Sequence, residues 1–220
     1  MISRADAVLR GEGGADAAAR PGRAAVQLAA VAVLAAAAYG AVMGSYAAVH
    51  GGPALQVAYS AVKTPMFLLV TFAITLPSYA VVSTLLGLRD DLGHALAALL
   101  AGQAAVAIAL LSLAPLTLFF YVAVGDYSAG ILFNGVVFAL ASFGAQRPLR
   151  RRFLELIRRN RTHLWLLRAW LAVYIFTGVQ MGWALRPFVG SPTAKVVFFR
   201  GGEWDNAYVI VARMVWRLVG

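Results

Sequence analysis

The sequence predicts an all-α, polytopic transmembrane bundle of about five spans, closed by an amphipathic interfacial helix at the carboxyl end. Three observations lead there. Hydrophobic residues make up 61% of the chain and charged residues 13%, with a mean hydropathy of +0.77, far from soluble-domain averages. The charges gather in a few blocks, and the apolar runs between them are long enough to cross ~30 Å of hydrocarbon at ~1.5 Å per residue. Nothing in the pattern sets a soluble domain apart, so a single helical bundle accommodates the chain.

Residues 1–23 form a polar, basic tail in which Arg4, Arg10, Arg20 and Arg23 alternate with Asp6, Glu12 and Asp16. The first span is expected over residues 24–48, too long for the apolar core of a cleaved signal, and so it is expected to stay as an anchor. Its Gly40 and Gly44 make a small-xxx-small face that another helix can approach closely. His50-Gly-Gly-Pro53 breaks the helix, and residues 54–63 are expected to lie at the interface. Thr64-Pro65 reads as an N-cap followed by an N1 proline, opening a second span over 65–86 that Pro77 should kink.

The turn GLRDDLG offers Asp90 or Asp91 as a cap for a third span over 92–124, interrupted at Ala114-Pro115. Phe119, Phe120 and Tyr121 have the look of an interfacial aromatic belt. Asp126 and Tyr127 turn the chain into a fourth span over 128–145, which holds the amide Asn134. Seven arginines then fall between Arg147 and Arg161, ahead of a fifth span over 164–185. Residues 186–220 form an outer loop and an amphipathic segment, since 208–219 is too short and too charged for a routine span.

Orientation follows from lysine and arginine. With the amino terminus inside, cytoplasmic parts carry twelve and outer parts six, which favours a cytoplasmic amino terminus. The net charge of +10 and pI near 10.7 point to anionic lipid headgroups rather than nucleic acid, because the arginines flank apolar segments. There is no cysteine, hence no disulfide or thiolate metal site, and His50, His94 and His163 are widely spaced without acids at metal-ligand intervals. No cofactor is expected.

Two surfaces stand out as candidate contact sites. At the outer end, Lys63, Asp126, Tyr127 and Arg186 should meet one interface, with Gln180, Trp183 and Arg186 along one helical stripe and Arg200 beyond. An Asp126 pairing with Lys63 or Arg186 would build a polar pocket for a lipid headgroup or partner; the alternative is snorkelling cations and a turn-capping Asp126. At the inner end, Arg150, Arg151, Arg152, Arg158, Arg159 and Arg161 form a cationic loop that, if helical, turns Phe153, Leu154 and Ile157 toward lipid.

The stretches AAYGAVMGSYAA, SLAPLTLFF and LRAWLAVYIFTGVQMGWALRPFVGSP together resemble an uncharacterised family of bacterial multi-pass membrane proteins, over most of the chain after the tail. Some members of that family carry an actin-binding label, but the helix around Arg150 to Arg161 lacks the basic LKKT-like continuation such binding uses. The span count and short polar turns are also loosely similar to Yip-type membrane proteins, in architecture alone. The resemblance implies a bacterial inner-membrane location and no particular activity. The expected role is a non-catalytic scaffold or accessory subunit organising lipids, partner subunits or a homo-oligomer. The alternatives are a small transport or channel subunit with a pathway past Gln103, Asn134 and Gln180, and a lipid-modifying enzyme using Lys63, Asp126 and Arg186.

Overall fold

The computed structural model describes residues 21–199, and the chain in it is all helix and loop, with no strand among the described residues. Arg200, the expected amphipathic carboxyl-terminal segment and residues 1–20 lie outside the described residues. In order come α1 (Pro21–Gly44), α2 (Tyr46–Val49), α3 (Leu55–Leu85), a 3-10 turn (Arg89–Asp91), α4 (Leu92–Ser112), α5 (Ala114–Ala123), α6 (Tyr127–Gly144), α7 (Gln146–Arg159) and α8 (Thr162–Ala184). Five stretches among them are long and apolar enough to cross a membrane.

The breaks have local causes. Pro115 cannot donate to the carbonyl four residues before it, so the third span hinges between α4 and α5. Asp126 accepts the Ala129 N–H at 2.6 Å and starts α6 as an N-cap. Ahead of α8, Asn160 turns the chain by accepting the Thr162 N–H at 2.9 Å. Thr64-Pro65, expected to open a helix, instead sits inside α3, which begins ten residues earlier at Leu55. Thr64 turns its hydroxyl back onto the Ser60 carbonyl at 2.9 Å, a helix-interior habit, so residues 55–63 belong to the same continuous helix as the second span.

Helix α1 is the centre of the bundle, packed along α3 on one side and α4 on the other, while α8 rests on α3 and α7 on α4. Gly40 and Gly44 let α3 approach α1 backbone to backbone. A methyl group on Gly44 would lie 2.6 Å from the Gln56 carbonyl oxygen. One apolar core gathers the alanines of α1 and α4 around Tyr39, Tyr46 and Tyr121; a second joins Phe72, Leu99, Phe153, Leu167 and Trp170 from α3, α4, α7 and α8.

Two expectations about aromatic and basic stretches are corrected here. Of the supposed belt, Phe119 is exposed, but Phe120 stacks on Phe133 at 4.0 Å and Tyr121 is fully buried with its hydroxyl donating to the Met43 carbonyl. The basic stretch is helical, yet Phe153 points into the protein core and Ile157 packs beside it, leaving only Leu154 outward. Helix α7 therefore spends its apolar face on the bundle, and Leu149 fills the space over Gly102 of α4.

Candidate functional site

Polar residues on α3 at Gln56, Ser60 and Lys63 share one helical face by their spacing of four and three residues. All three are buried, and the loop after α8 folds back onto them. The Gln56 amide donates to the carbonyls of Pro187 at 3.0 Å and Phe188 at 3.2 Å, and to the Ser60 hydroxyl at 3.1 Å. Ser60 donates to the Phe188 carbonyl, and the Lys63 ammonium donates to the Pro187 carbonyl at 2.9 Å. From α6, the Tyr127 hydroxyl donates to the Val189 carbonyl at 3.1 Å. Three consecutive loop carbonyls are thus satisfied by side chains.

The loop fits because it is small where it touches. A Cβ on Gly190 would lie 2.5 Å from Gln56 Cγ, and one on Gly52 would lie 2.7 Å from the Pro192 Cα. Phe188 and Val189 continue the first core, with Phe188 edge-on to Phe67. Phe198 covers Tyr59 and lies 4.9 Å from the Lys63 ammonium, a cation–π distance. Between Gln56, Tyr127 and Gly190 there is a recess of about 20 Å³, room for a water molecule and not for an organic substrate.

The expected outer pocket is therefore partly assembled and differently wired. Lys63 and Tyr127 meet, but through the loop backbone. Lys63 is fully buried, not snorkelling, because the residue after Arg186 supplies its acceptor. Asp126 stands at the surface and caps α6, with no role in neutralising Lys63. Helix α8 ends at Ala184, so Gln180 and Trp183 lie on it while Arg186 has left the helical stripe. The Arg186 guanidinium still sits 3.4 Å from the Trp183 ring centroid. Arg200 is outside the described residues.

Behind the loop, Asn134 joins three elements. It accepts from Tyr39 at 3.0 Å and donates to Tyr121 at 2.5 Å and to the Gly130 carbonyl at 2.7 Å. Gln103 accepts from Tyr174 of α8 at 2.7 Å. These amides, expected to line a pathway, are engaged in helix-to-helix bonds. At the opposite end of the bundle, Asp91 does not cap α4 with its side chain. It receives His163 Nε2 at 3.1 Å and Arg159 at 3.3 Å, tying the α3–α4 turn to α7 and α8.

Sequence reasoning passed over Gln56, Ser60 and the Asp91–His163 pair. The first two carried a legible signal, polar residues four apart within an apolar helix; the last pair, 72 residues apart, carried none. On the basic helix, Arg150, Arg151, Arg158 and Arg159 are exposed along with Arg161, whereas Arg152 is half-buried with its Nε inside.

The fold and these sites define a multi-pass, all-α integral membrane protein. Comparison with protein-family models, with curated proteins and with solved structures finds no match to this chain.

Proposed function

We propose that this protein is a non-catalytic scaffold or accessory subunit of a bacterial cytoplasmic membrane, gathering anionic lipid headgroups or a partner subunit against α7. One observation carries this reading. The apolar face of α7 is spent on the bundle through Pro148, Leu149, Phe153 and Leu156, so Arg150, Arg151, Arg158 and Arg159 are held outward on a rigid support. A preorganised cationic row binds phosphate-bearing headgroups without first ordering a loop.

In this reading the amino terminus and α7 face the cytoplasm, following the surplus of lysine and arginine there. The resemblance to bacterial multi-pass proteins supports the inner membrane as the location. The opposite end counts against an enzyme or a pore: Lys63, Gln56 and Ser60 are occupied with the chain's own carbonyls, and Gln103 and Asn134 with tyrosines.

Native mass spectrometry of protein extracted from vesicles of mixed phosphatidylglycerol and phosphatidylcholine tests it. Each arginine near a headgroup contributes about 1 kcal/mol, so replacing Arg150, Arg151, Arg158 and Arg159 by glutamine weakens anionic lipid retention by roughly two to three orders of magnitude. Equal phosphatidylglycerol retention by the variant, together with no co-purifying subunit on either protein, rejects the proposal.

A further inference from the structure

Helix α8 carries a full charge inside its apolar length. Arg168 is the one arginine, lysine or carboxylate between Thr162 and Ala184. It stands on the exposed face of the helix, away from Leu166, Leu167 and Trp170, which join the second core. Contacts at the helix start set its level: His163 meets Asp91 at 3.1 Å, in the polar turn where α3 gives way to α4. Five residues further on, at ~1.5 Å each, Arg168 lies about 7.5 Å beyond that turn, toward the middle of the span.

Among the described residues no acid answers this charge, since the ion pairs there join Arg159 and His163 to Asp91. What Arg168 does meet is Trp165, one turn nearer the helix start and 68% exposed. The guanidinium lies 5.4 Å from the indole centroid. Side chains on a helix lean toward its amino end, so the arginine reaches from its depth toward the polar boundary with the indole beside it. Arg161, seven residues earlier and hence on the same face, is exposed above them. In the other direction the face continues through exposed Ala172, Ile175 and Val179. An arginine that stays charged on a lipid-facing surface needs an anion from outside the protein. A cation and an indole above an apolar track repeat the order of a phospholipid: phosphate, glycerol esters, acyl chain.

We propose that the Arg168–Trp165 face of α8 is a site for one glycerophospholipid of the leaflet on the Asp91 side. Its phosphodiester accepts from the Arg168 guanidinium, its glycerol region packs on the Trp165 indole, and one chain lies along Ala172, Ile175 and Val179. The phosphate is the group recognised, because a guanidinium presents paired N–H donors that match two phosphate oxygens. The site is separate from the arginine row of α7 and differs from it in chemistry. A net-neutral phosphatidylcholine satisfies Arg168, since its phosphate is itself charged, whereas a row of four exposed arginines favours lipids of net negative charge.

Native mass spectrometry of the full chain released from nanodiscs of pure dioleoylphosphatidylcholine tests this, because that lipid offers the α7 row no anionic headgroup. The parent protein is expected to keep one lipid after collisions strip the remainder. Arg168→Gln is expected to weaken its retention by about tenfold to a hundredfold, the worth of a hydrogen bond to a charged group. Equal retention by the two proteins overturns the proposal. So does a parent oligomer that Arg168→Gln dissociates, which makes this face a contact between copies of the chain. A second measurement needs no variant: dioleoylglycerol, with the same chains and no phosphate, is added to the nanodiscs and is expected to be stripped. Its retention on a par with dioleoylphosphatidylcholine overturns the proposal as well.

Discussion

Replacing Gln56 by leucine removes an amide whose two N–H groups are shared among Ser60, Pro187 and Phe188. Leucine keeps most of the volume, so the change is in bonding. Neither loop carbonyl is orphaned, since Lys63 still serves Pro187 and Ser60 still serves Phe188. The cost is therefore the net worth of shared bonds, about 2 kcal/mol in all, rather than the larger penalty of leaving two buried carbonyls bare. In a protein of this size that lowers the melting temperature by about 4–8 °C. Tryptophan fluorescence during heating in mild detergent reads it, and trypsin cleavage after the exposed Lys195 reports undocking of the loop. Adding Ser60→Ala then strips the last side-chain donor from the Phe188 carbonyl, and the pair is expected to cost more than the two single changes together. Additive effects, or a Gln56→Leu protein that melts and resists trypsin like the parent, refute the claim that this row of side chains holds the loop.

Three further outcomes are expected, each read as a melting temperature in detergent. Gly44→Leu forces α3 off α1 against rigid backbone and costs about 1–3 kcal/mol, whereas Gly102→Ala, whose new methyl meets only the movable Leu149 side chain at 3.3 Å, is close to neutral. Asn134→Leu strands the buried Tyr39 hydroxyl at a cost of about 1–3 kcal/mol, and adding Tyr39→Phe recovers part of the loss because the stranded group is gone. Asp91→Ala leaves neither nitrogen of the buried His163 ring with a protein partner and destabilises by about 1–3 kcal/mol, while Arg159→Ala, a change in an exposed pair, stays under about 1 kcal/mol.

Particular elements show where sequence reasoning reaches and where it stops. Asp126 was readable as a cap because capping is local: a carboxylate one residue ahead of a helix finds an N–H three residues on. The close approach at Gly40 and Gly44 was readable because only glycine leaves that space. The start of α3 was not, since Thr64-Pro65 carries the same local signature whether it opens a helix or sits within one. What decides is the burial of Gln56, Ser60 and Lys63 on a face that meets α1 and the distant loop. The arginine helix shows the same limit: its two faces are visible in the sequence, but whether the apolar one meets lipid or protein depends on Gly102 of another helix.

The sequence by itself determined the solvent. Apolar length and the grouping of charges follow from the cost of placing charge in hydrocarbon, and that cost applies residue by residue along the chain. Only the tertiary structure decided how each buried polar group is matched. Lys63 finds a carbonyl 124 residues away, and Asp91 a histidine 72 residues away. Hydrogen bonds act over a few ångströms of space, and spacing along the chain carries no record of which distant helix supplies the partner.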